Sequence, residues 1–250
     1  MVPTPNPENA RAQKMYNSIP KRDPRGFGET RQANDPSKKI VKHNGKHVTF
    51  EGFVNQKNQP HGWGKMVLQN GEIMDGLFEA GKPSKHLRLF RHDSFMLEGE
   101  FNLQDLTLRG AGLMYKPDGT KITCENWKDN VPQGQIIETD AQGKKVFMGV
   151  RSPNQEKQGP CEVVFGNFTI KATFKNDVID GNAQKFYVDG RYYEGQLNKD
   201  FQEEGKGTLT FVDGRKFSGV FARGLANSEG DFTTDTGKVV RQTWKDGKRV

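Results

Sequence analysis

The side chains that could bind a metal ion are five histidines and two cysteines. Structural and catalytic zinc sites draw on histidine and cysteine ligands in short, paired spacings. The sequence has no Cys-x-x-Cys, and neither cysteine has a histidine close to it. We therefore expect no metal site and no cofactor. The residues concerned are His43, His47, His61, His86, His92, Cys124 and Cys161.

Glycine pairs and carboxylates are the other side chains that could support catalysis. The Gly-x-Gly pairs are too short for a phosphate-binding loop and do not lie between a strand and a helix. Glu51, Glu98 and Glu194 recur at one position relative to a neighbouring glycine. Such a recurrence is typical of a row of side chains across a sheet and does not indicate an acid–base pair. We expect no enzymatic activity.

The remaining chemistry is electrostatic and lies near the N-terminus. Residues 1–48 carry a net charge of +6, out of +7 for the whole chain. A concentrated positive charge attracts acidic partners. We expect basic residues of this segment and one tyrosine to bind a partner: Arg11, Lys14, Tyr16, Lys21, Arg22, Arg25, Arg31, Lys38 and Lys39.

Residues 1–45, which we call the arm, have many prolines and few apolar residues, so they cannot build a core of their own. One helix is predicted over residues 8–19, because Pro7 suits a first turn and Pro20 would end it. Met15 and Ile19 would share a face of that helix. The sequence leaves open whether the helix is transient or orders on a partner. If this segment anchors the protein to a partner, we expect that removing residues 1–38 leaves the melting temperature of the rest almost unchanged.

The rest of the chain repeats one pattern, which is clearest at residues 193–214. Tyr193, Gly195 and Leu197 alternate with two polar residues. In an extended strand these three residues therefore share one face. A Gly-x-Gly follows, and after it comes an Asp-Gly pair. This pair suits the positive φ angles of a tight hairpin turn. The unit is therefore two strands. The structural positions of its two clearest copies are Tyr193, Gly195, Leu197, Gly205, Gly207 and Gly214, and Phe50, Gly52, Gly62 and Gly64.

Copies of this pattern recur about every 24 residues. A fixed period indicates a repeat architecture, and a glycine between two bulky strand residues indicates close approach of a ring or of backbone. In residues 85–95 the glycine turn is missing; we interpret this copy as a degenerate strand, the alternative being a docking strand. The copies begin at Phe50, Met74, Leu97, Thr123, Phe147, Ile170, Tyr193 and Phe217.

The motif Tyr-Glu-Gly, a later Gly-x-Gly and a closing Asp-Gly resemble the MORN (membrane occupation and recognition nexus) repeat over about residues 46–250. The resemblance implies an elongated, single-layer array of β-hairpins that serves as a scaffold or docking surface and has no catalytic activity. It also implies a cytoskeletal role, since MORN proteins occur in ciliary radial spokes and other microtubule-based structures. Tubulin is acidic, which suits the basic arm.

We therefore predict an all-β protein with an arm at residues 1–45 and an array of about eight two-stranded repeats at 46–250. The predicted function is a non-catalytic scaffold in a cytoskeletal or ciliary (axonemal) assembly, with tubulin or axonemal proteins as candidate partners. The alternative is a membrane-surface adaptor whose arm binds anionic lipid, although Val2 argues against myristoylation. The arm has only two aromatic residues, which argues against nucleic-acid binding. The oligomeric state stays open.

The expected location is the cytoplasm, in the cytoskeleton or cilium. The N-terminus lacks the apolar core of a secretion signal, and no apolar run reaches the length of a membrane span. Two cysteines are too few for a disulfide framework and favour a reducing compartment.

Overall fold

The computed structural model describes residues 7–19, 40–44 and 49–250. Its contacts divide the chain into two compact units, residues 1–133 with 139–143 and residues 134–138 with 144–250. Both units are built of antiparallel strands, and one short helix precedes them in the described residues. The predicted boundary between arm and array, at residues 45 and 46, lies outside the described residues.

In the first unit each strand pairs with the next one along the chain, in antiparallel orientation. Its elements are α1 (Pro7–Ser18), β1 (Ile40–Asn44), β2 (Thr49–Val54), β3 (Pro60–Val67), β4 (Ile73–Glu79), β5 (Lys82–Phe90), β6 (Met96–Asn102), β7 (Thr107–Tyr115), β8 (Lys121–Lys128) and β9 (Val131–Pro132).

The second unit continues the same hairpin pattern, so the prediction of an all-β chain with one short helix is confirmed. Two short strands, β18 and β21, pair with β17 and β20. The elements are β10 (Ile136–Thr139), β11 (Lys145–Arg151), β12 (Lys157–Val164), β13 (Phe168–Lys175), β14 (Val178–Tyr187), β15 (Tyr192–Leu197), β16 (Glu203–Thr210), β17 (Lys216–Ala222), β18 (Leu225–Ala226), β19 (Glu229–Thr233), β20 (Val239–Lys245) and β21 (Lys248–Arg249).

The core of the second unit forms where an aromatic ring lies over paired glycines. Gly195 of β15 is directly opposite Gly207 of β16, and the fully buried Tyr193 lies above both. A Cβ atom on Gly195 would come within 2.6 Å of the Gly207 Cα. Burial raises the pKa of Tyr193 to about 12, and its hydroxyl donates to the Gln196 carbonyl at 3.0 Å. The predicted close approach at these glycines is confirmed.

The two glycines of a Gly-x-Gly pair have different roles. Gly64 pairs with Gly52 and lies under the Phe50 ring, so a side chain there would overlap that ring. Gly62 and Gly205, the first glycines of their pairs, have φ angles of +91° and +67°, in the left-handed region that suits glycine. The first glycine therefore bends the strand and the second leaves room for the ring.

The turn after β16 differs from the prediction in one respect. Gly214 has a φ of +85°, whereas Asp213 has no positive φ, so the pair does not form a tight turn with two positive φ angles. Instead a three-residue loop connects Phe211 to Arg215, whose backbone groups are hydrogen-bonded at 2.8 Å. This is the common loop that ends on a left-handed glycine. The Asp213 carboxylate holds it by accepting hydrogen bonds from the Arg215 backbone and side chain.

Residues 85–95 form the end of the ordinary core strand β5 and the turn that follows it, despite their missing glycine. Leu87 and Leu89 are buried. Ser94 takes the glycine position with a φ of +68°, and its amide donates to the Arg91 carbonyl at 3.1 Å. The degenerate-strand interpretation therefore holds for the core side of β5. The other side of this strand carries Phe90, which receives the helix.

Helix α1 packs on the sheet of its own chain. Ala12 and Met15 are buried among residues of β4, β5 and β6. The Tyr16 ring meets Phe90 edge-on, with the ring centroids 5.1 Å apart. The predicted helix and its apolar face are confirmed, with Ile19 packed at its end. The expectation that the arm contributes nothing to stability is wrong for residues 7–19, because one face of the helix is part of the core.

Replacing Met15 by alanine is expected to destabilise the first unit by about 2 kcal/mol, since it removes buried apolar contacts and leaves a cavity under α1. Lys14→Ala is the matched control, because Lys14 is exposed on the same helix; we expect it to change stability by less than about 0.5 kcal/mol. Denaturant unfolding of both variants measures the difference. Equal midpoints would show that α1 does not stabilise the sheet.

Candidate protein-interaction face

The face of the first unit opposite its aromatic–glycine core carries a row of alternating charges. Five neighbouring strands place their side chains in direct register. Opposite charges in such cross-strand positions stabilise a sheet; the Arg88 Nε atom, for example, lies 2.8 Å from a Glu98 carboxylate oxygen. This charged row consists of Glu51, Lys65, Asp75, Arg88 and Glu98.

A second row beside it is apolar and is covered by α1. Phe90 is only 1% exposed there. Lys65 joins the two rows, because its ammonium donates to Gln13 of the helix at 3.1 Å and lies 4.7 Å from the Tyr16 ring centroid. Burial raises the pKa of Tyr16, and the nearby carboxylates raise it further. The apolar row consists of Val67, Ile73, Phe90, Met96 and Tyr115.

The second unit has the same two rows opposite its own aromatic–glycine core. We call the part of these rows that lies on strands β12 to β16 the open face. Its first row consists of Thr169, Phe186, Tyr192 and Thr210, and its second row of Glu162, Lys171, Gln184, Glu194 and Thr208.

The open face carries a pair of aromatic rings, of which Phe186 is exposed and Tyr192 is half-buried. Phe186 and Tyr192 close the hairpin β14–β15, as Phe90 and Met96 close β5–β6. The Phe186 and Tyr192 ring centroids are 5.0 Å apart with a 38° angle between the planes. Phe186 is 37% exposed, in contrast to the buried Phe90, since α1 contacts β4 and β5 of the first unit. Exposed aromatic surface of this kind marks interaction sites.

The charges on the open face are incompletely paired. Lys171 lies 3.7 Å from Glu162, which also binds a second lysine. Glu194 accepts a hydrogen bond from the Tyr192 hydroxyl at 2.7 Å, and burial together with that bond raises the pKa of Tyr192 to about 12. Opposite Glu194 stands the neutral Gln184. The face therefore combines a protonated phenol, an exposed ring and a carboxylate.

A groove of 480 Å³ lies along the second row of the open face, where Gln184 and Glu194 line it. Its lining is mixed, with apolar surface from Met148 and Pro160 and polar groups from Asn182, Gln184 and Glu194. A partner segment that covers the rings can continue into this groove and find hydrogen-bonding groups there. Such a mixture is typical of protein-interaction surfaces.

The second unit contains a buried charged cluster. Lys185 and Glu203 lie 3.1 Å apart, and their side chains are 6% and 5% exposed. The ammonium also donates to the Phe201 carbonyl at 2.8 Å and lies 4.5 Å from the Phe168 ring centroid. The Tyr187 hydroxyl donates to Glu203. Because each group is held by the others, the cluster is structural. Nowhere in the described ranges do three or more potential metal ligands converge.

The residues predicted to bind a partner have different places in the structure. Arg11 and Lys14 are exposed on α1, whereas Tyr16 packs against Phe90; their role in partner binding stays a prediction. The others fall outside the described residues: Lys21, Arg22, Arg25, Arg31, Lys38 and Lys39.

Sequence reasoning missed Phe186 and Tyr192. The signal was present in the doubled aromatics Phe186-Tyr187 and Tyr192-Tyr193. Successive strand residues point to opposite faces, so if Tyr193 lies in the core, Tyr192 must lie on the other side.

No helix among the residues with assigned structure is long and apolar enough to cross a membrane.

No family model and no curated protein matches the chain. Among solved structures, the wild-type TCP10 domain of Danio rerio CPAP is 13% identical, with a TM-score of 0.44 and coverage of 81% of this chain and 92% of that one. The G-box domain of the microcephaly protein CPAP is 13% identical, with a TM-score of 0.38 and coverage of 83% and 99%.

A third structure is the SAS-4 (dCPAP) TCP domain of Drosophila melanogaster, in complex with a proline-rich motif of Ana2 (dSTIL). It is 13% identical, with a TM-score of 0.27 and coverage of 90% of this chain and 99% of that one. TM-scores below 0.5 carry no inference about the function of this chain.

Proposed function

We propose that this chain is a non-catalytic scaffold that binds other proteins through the open face of its second unit. The observation that carries the proposal is the Phe186–Tyr192 ring pair, in which Phe186 is exposed, on a face whose counterpart in the first unit is covered by α1. A sheet whose strands pair in sequence holds such a face rigid, because each strand is fixed by both neighbours. Preorganised aromatic residues are favourable anchors for a partner.

The assembly we propose is cytoskeletal, with a ciliary or axonemal location as its narrower form. The resemblance of residues 46–250 to MORN repeats supports this assignment. The charge of the basic arm supports a second contact with an acidic surface such as that of tubulin. Binding of the arm to anionic lipid is the competing proposal, and it predicts attachment that does not depend on the open face.

The double substitution Phe186→Ala with Tyr192→Ala is expected to abolish co-purification of the partners that the wild-type chain retains in its own cells. The reason is that truncating aromatic anchors removes most of the binding energy of a small interface. Quantitative comparison of the proteins that co-purify with each tagged variant measures the effect.

The matched control is Val188→Ala with Val212→Ala, because both valines are exposed apolar residues in turns, outside the two rows of the open face, and are 77% and 70% accessible. This control should retain every partner. The proposal fails if the aromatic variant keeps the wild-type partners while its melting temperature shows that it is folded.

A further inference from the structure

The open face lacks a positive charge at a position where the first unit has one. Gln184 stands opposite Glu194 on the neighbouring strand, just as Arg88 stands opposite Glu98. Arg88 forms a 2.8 Å ion pair there, whereas Gln184 has no charge. Across residues 49–250, no lysine or arginine forms an ion pair with Glu194, whose hydrogen-bond donor is the Tyr192 hydroxyl.

The surroundings of Glu194 suit a cation from outside. The Tyr192 hydroxyl donates a hydrogen bond to the carboxylate, which brings the edge of its ring close to Glu194. On the β14 side, Lys171 lies 5.3 Å from the Phe186 ring centroid and is paired with Glu162. On the β16 side Thr208 stands opposite Glu194, and beyond it the rows continue with Ser218 and Lys216 of β17. A carboxylate next to an exposed ring attracts a guanidinium or ammonium group through charge pairing and a cation–π contact together.

We propose that the open face binds a segment of another protein that places an arginine or lysine against Glu194 and the Tyr192 ring. This inference rests on the proposed function and names the chemistry of the partner. The partner's cation takes the role of Arg88 in the first unit. Its neighbouring apolar side chain covers Phe186, as Tyr16 covers Phe90, and the segment continues into the groove beside Asn182.

The probe is a phage-displayed library of random 12-residue peptides selected on the full chain, with the recovered peptides synthesised and measured by fluorescence anisotropy. Peptides that need the open face are those that lose binding on Phe186→Ala. Among them we expect enrichment of arginine or lysine at one position, and about tenfold weaker binding to Glu194→Gln.

A second variant tests the missing charge without removing the carboxylate. Gln184→Arg reproduces the pair of the first unit, so its arginine should occupy Glu194 and weaken the same peptides about tenfold. Thr236→Arg is the control, since it adds the same charge at an exposed turn residue outside the open face and its groove. We expect it to change binding less than twofold at 0.15 M salt, where exposed charges are screened.

The outcomes separate the two proposals. Peptides that need Phe186 but bind Glu194→Gln and Gln184→Arg as well as the wild type would overturn the basic partner and leave the proposed function in place. If no recovered peptide depends on Phe186, or none is recovered, the open face is not a binding surface and both proposals fall. Peptides that bind only through the basic arm would be acidic and would bind Glu194→Gln as well as the wild type. Recovering only such peptides would also overturn both proposals.

Discussion

Glu203→Gln is expected to destabilise the second unit by about 3 kcal/mol or more. The substitution leaves the Lys185 ammonium buried without its carboxylate, and breaking one half of a buried ion pair is far more costly than removing the whole pair. The Tyr187 hydroxyl exchanges a carboxylate acceptor for the weaker amide oxygen in the same step. Denaturant unfolding followed by tryptophan fluorescence measures the loss.

Two further variants show whether this loss comes from the buried charge. Lys185→Met combined with Glu203→Leu removes both charges and should recover at least half of the lost stability. Asp231→Asn removes an exposed partner of Arg241, whose side chain is 59% accessible, and should cost less than about 1 kcal/mol. If Glu203→Gln costs no more than Asp231→Asn, the charged cluster does not stabilise this unit.

Gly195→Val is expected to destabilise the second unit by about 3 kcal/mol, at the upper end of the usual cost of overpacking. Its Cβ would come within 2.6 Å of backbone atoms of Lys206 and Gly207 on the neighbouring strand. Backbone cannot move aside as a flexible side chain can, so the two strands must separate. Thermal unfolding of the variant measures the shift.

The matched control for Gly195→Val is Gln196→Val, at the next position of β15 but on the exposed face. Valine favours strands, so this variant should stay within about 0.5 kcal/mol of the wild type. Equal melting temperatures for the two variants would mean that Gly195 does not face a packed neighbour, contrary to the position of the Tyr193 ring.

The period and alternation of the sequence were sufficient to predict the strands, the core positions and the role of the repeat glycines. They could not predict the backbone of the turns. Asp213-Gly214 forms a loop with one left-handed residue, and Ser94 adopts the glycine conformation without being glycine, because local hydrogen bonds decide φ at these positions. The docking of α1 was also missed, since short apolar residues such as Ala12 give no sign of which surface they pack on.

The open face could not be predicted from the sequence for a related reason. A period of two shows which residues share a face, and the repeat glycines show which face is the core, but neither shows whether the opposite face is covered. In the first unit α1 covers it, and around Phe186 the described residues place no helix. The contrast between Arg88 and Gln184 becomes meaningful only when the strand register aligns each with its glutamate.

Site-specific photo-cross-linking in the protein's own cells tests the central claim most directly. A photo-reactive phenylalanine analogue at Tyr192 lies on the open face, the same analogue at Val212 lies on an exposed turn, and a third at Lys21 probes the basic arm. We predict discrete cross-links to another protein at position 192 and none at 212. Cross-links at position 21 with none at 192 would contradict the account and place recognition in the arm.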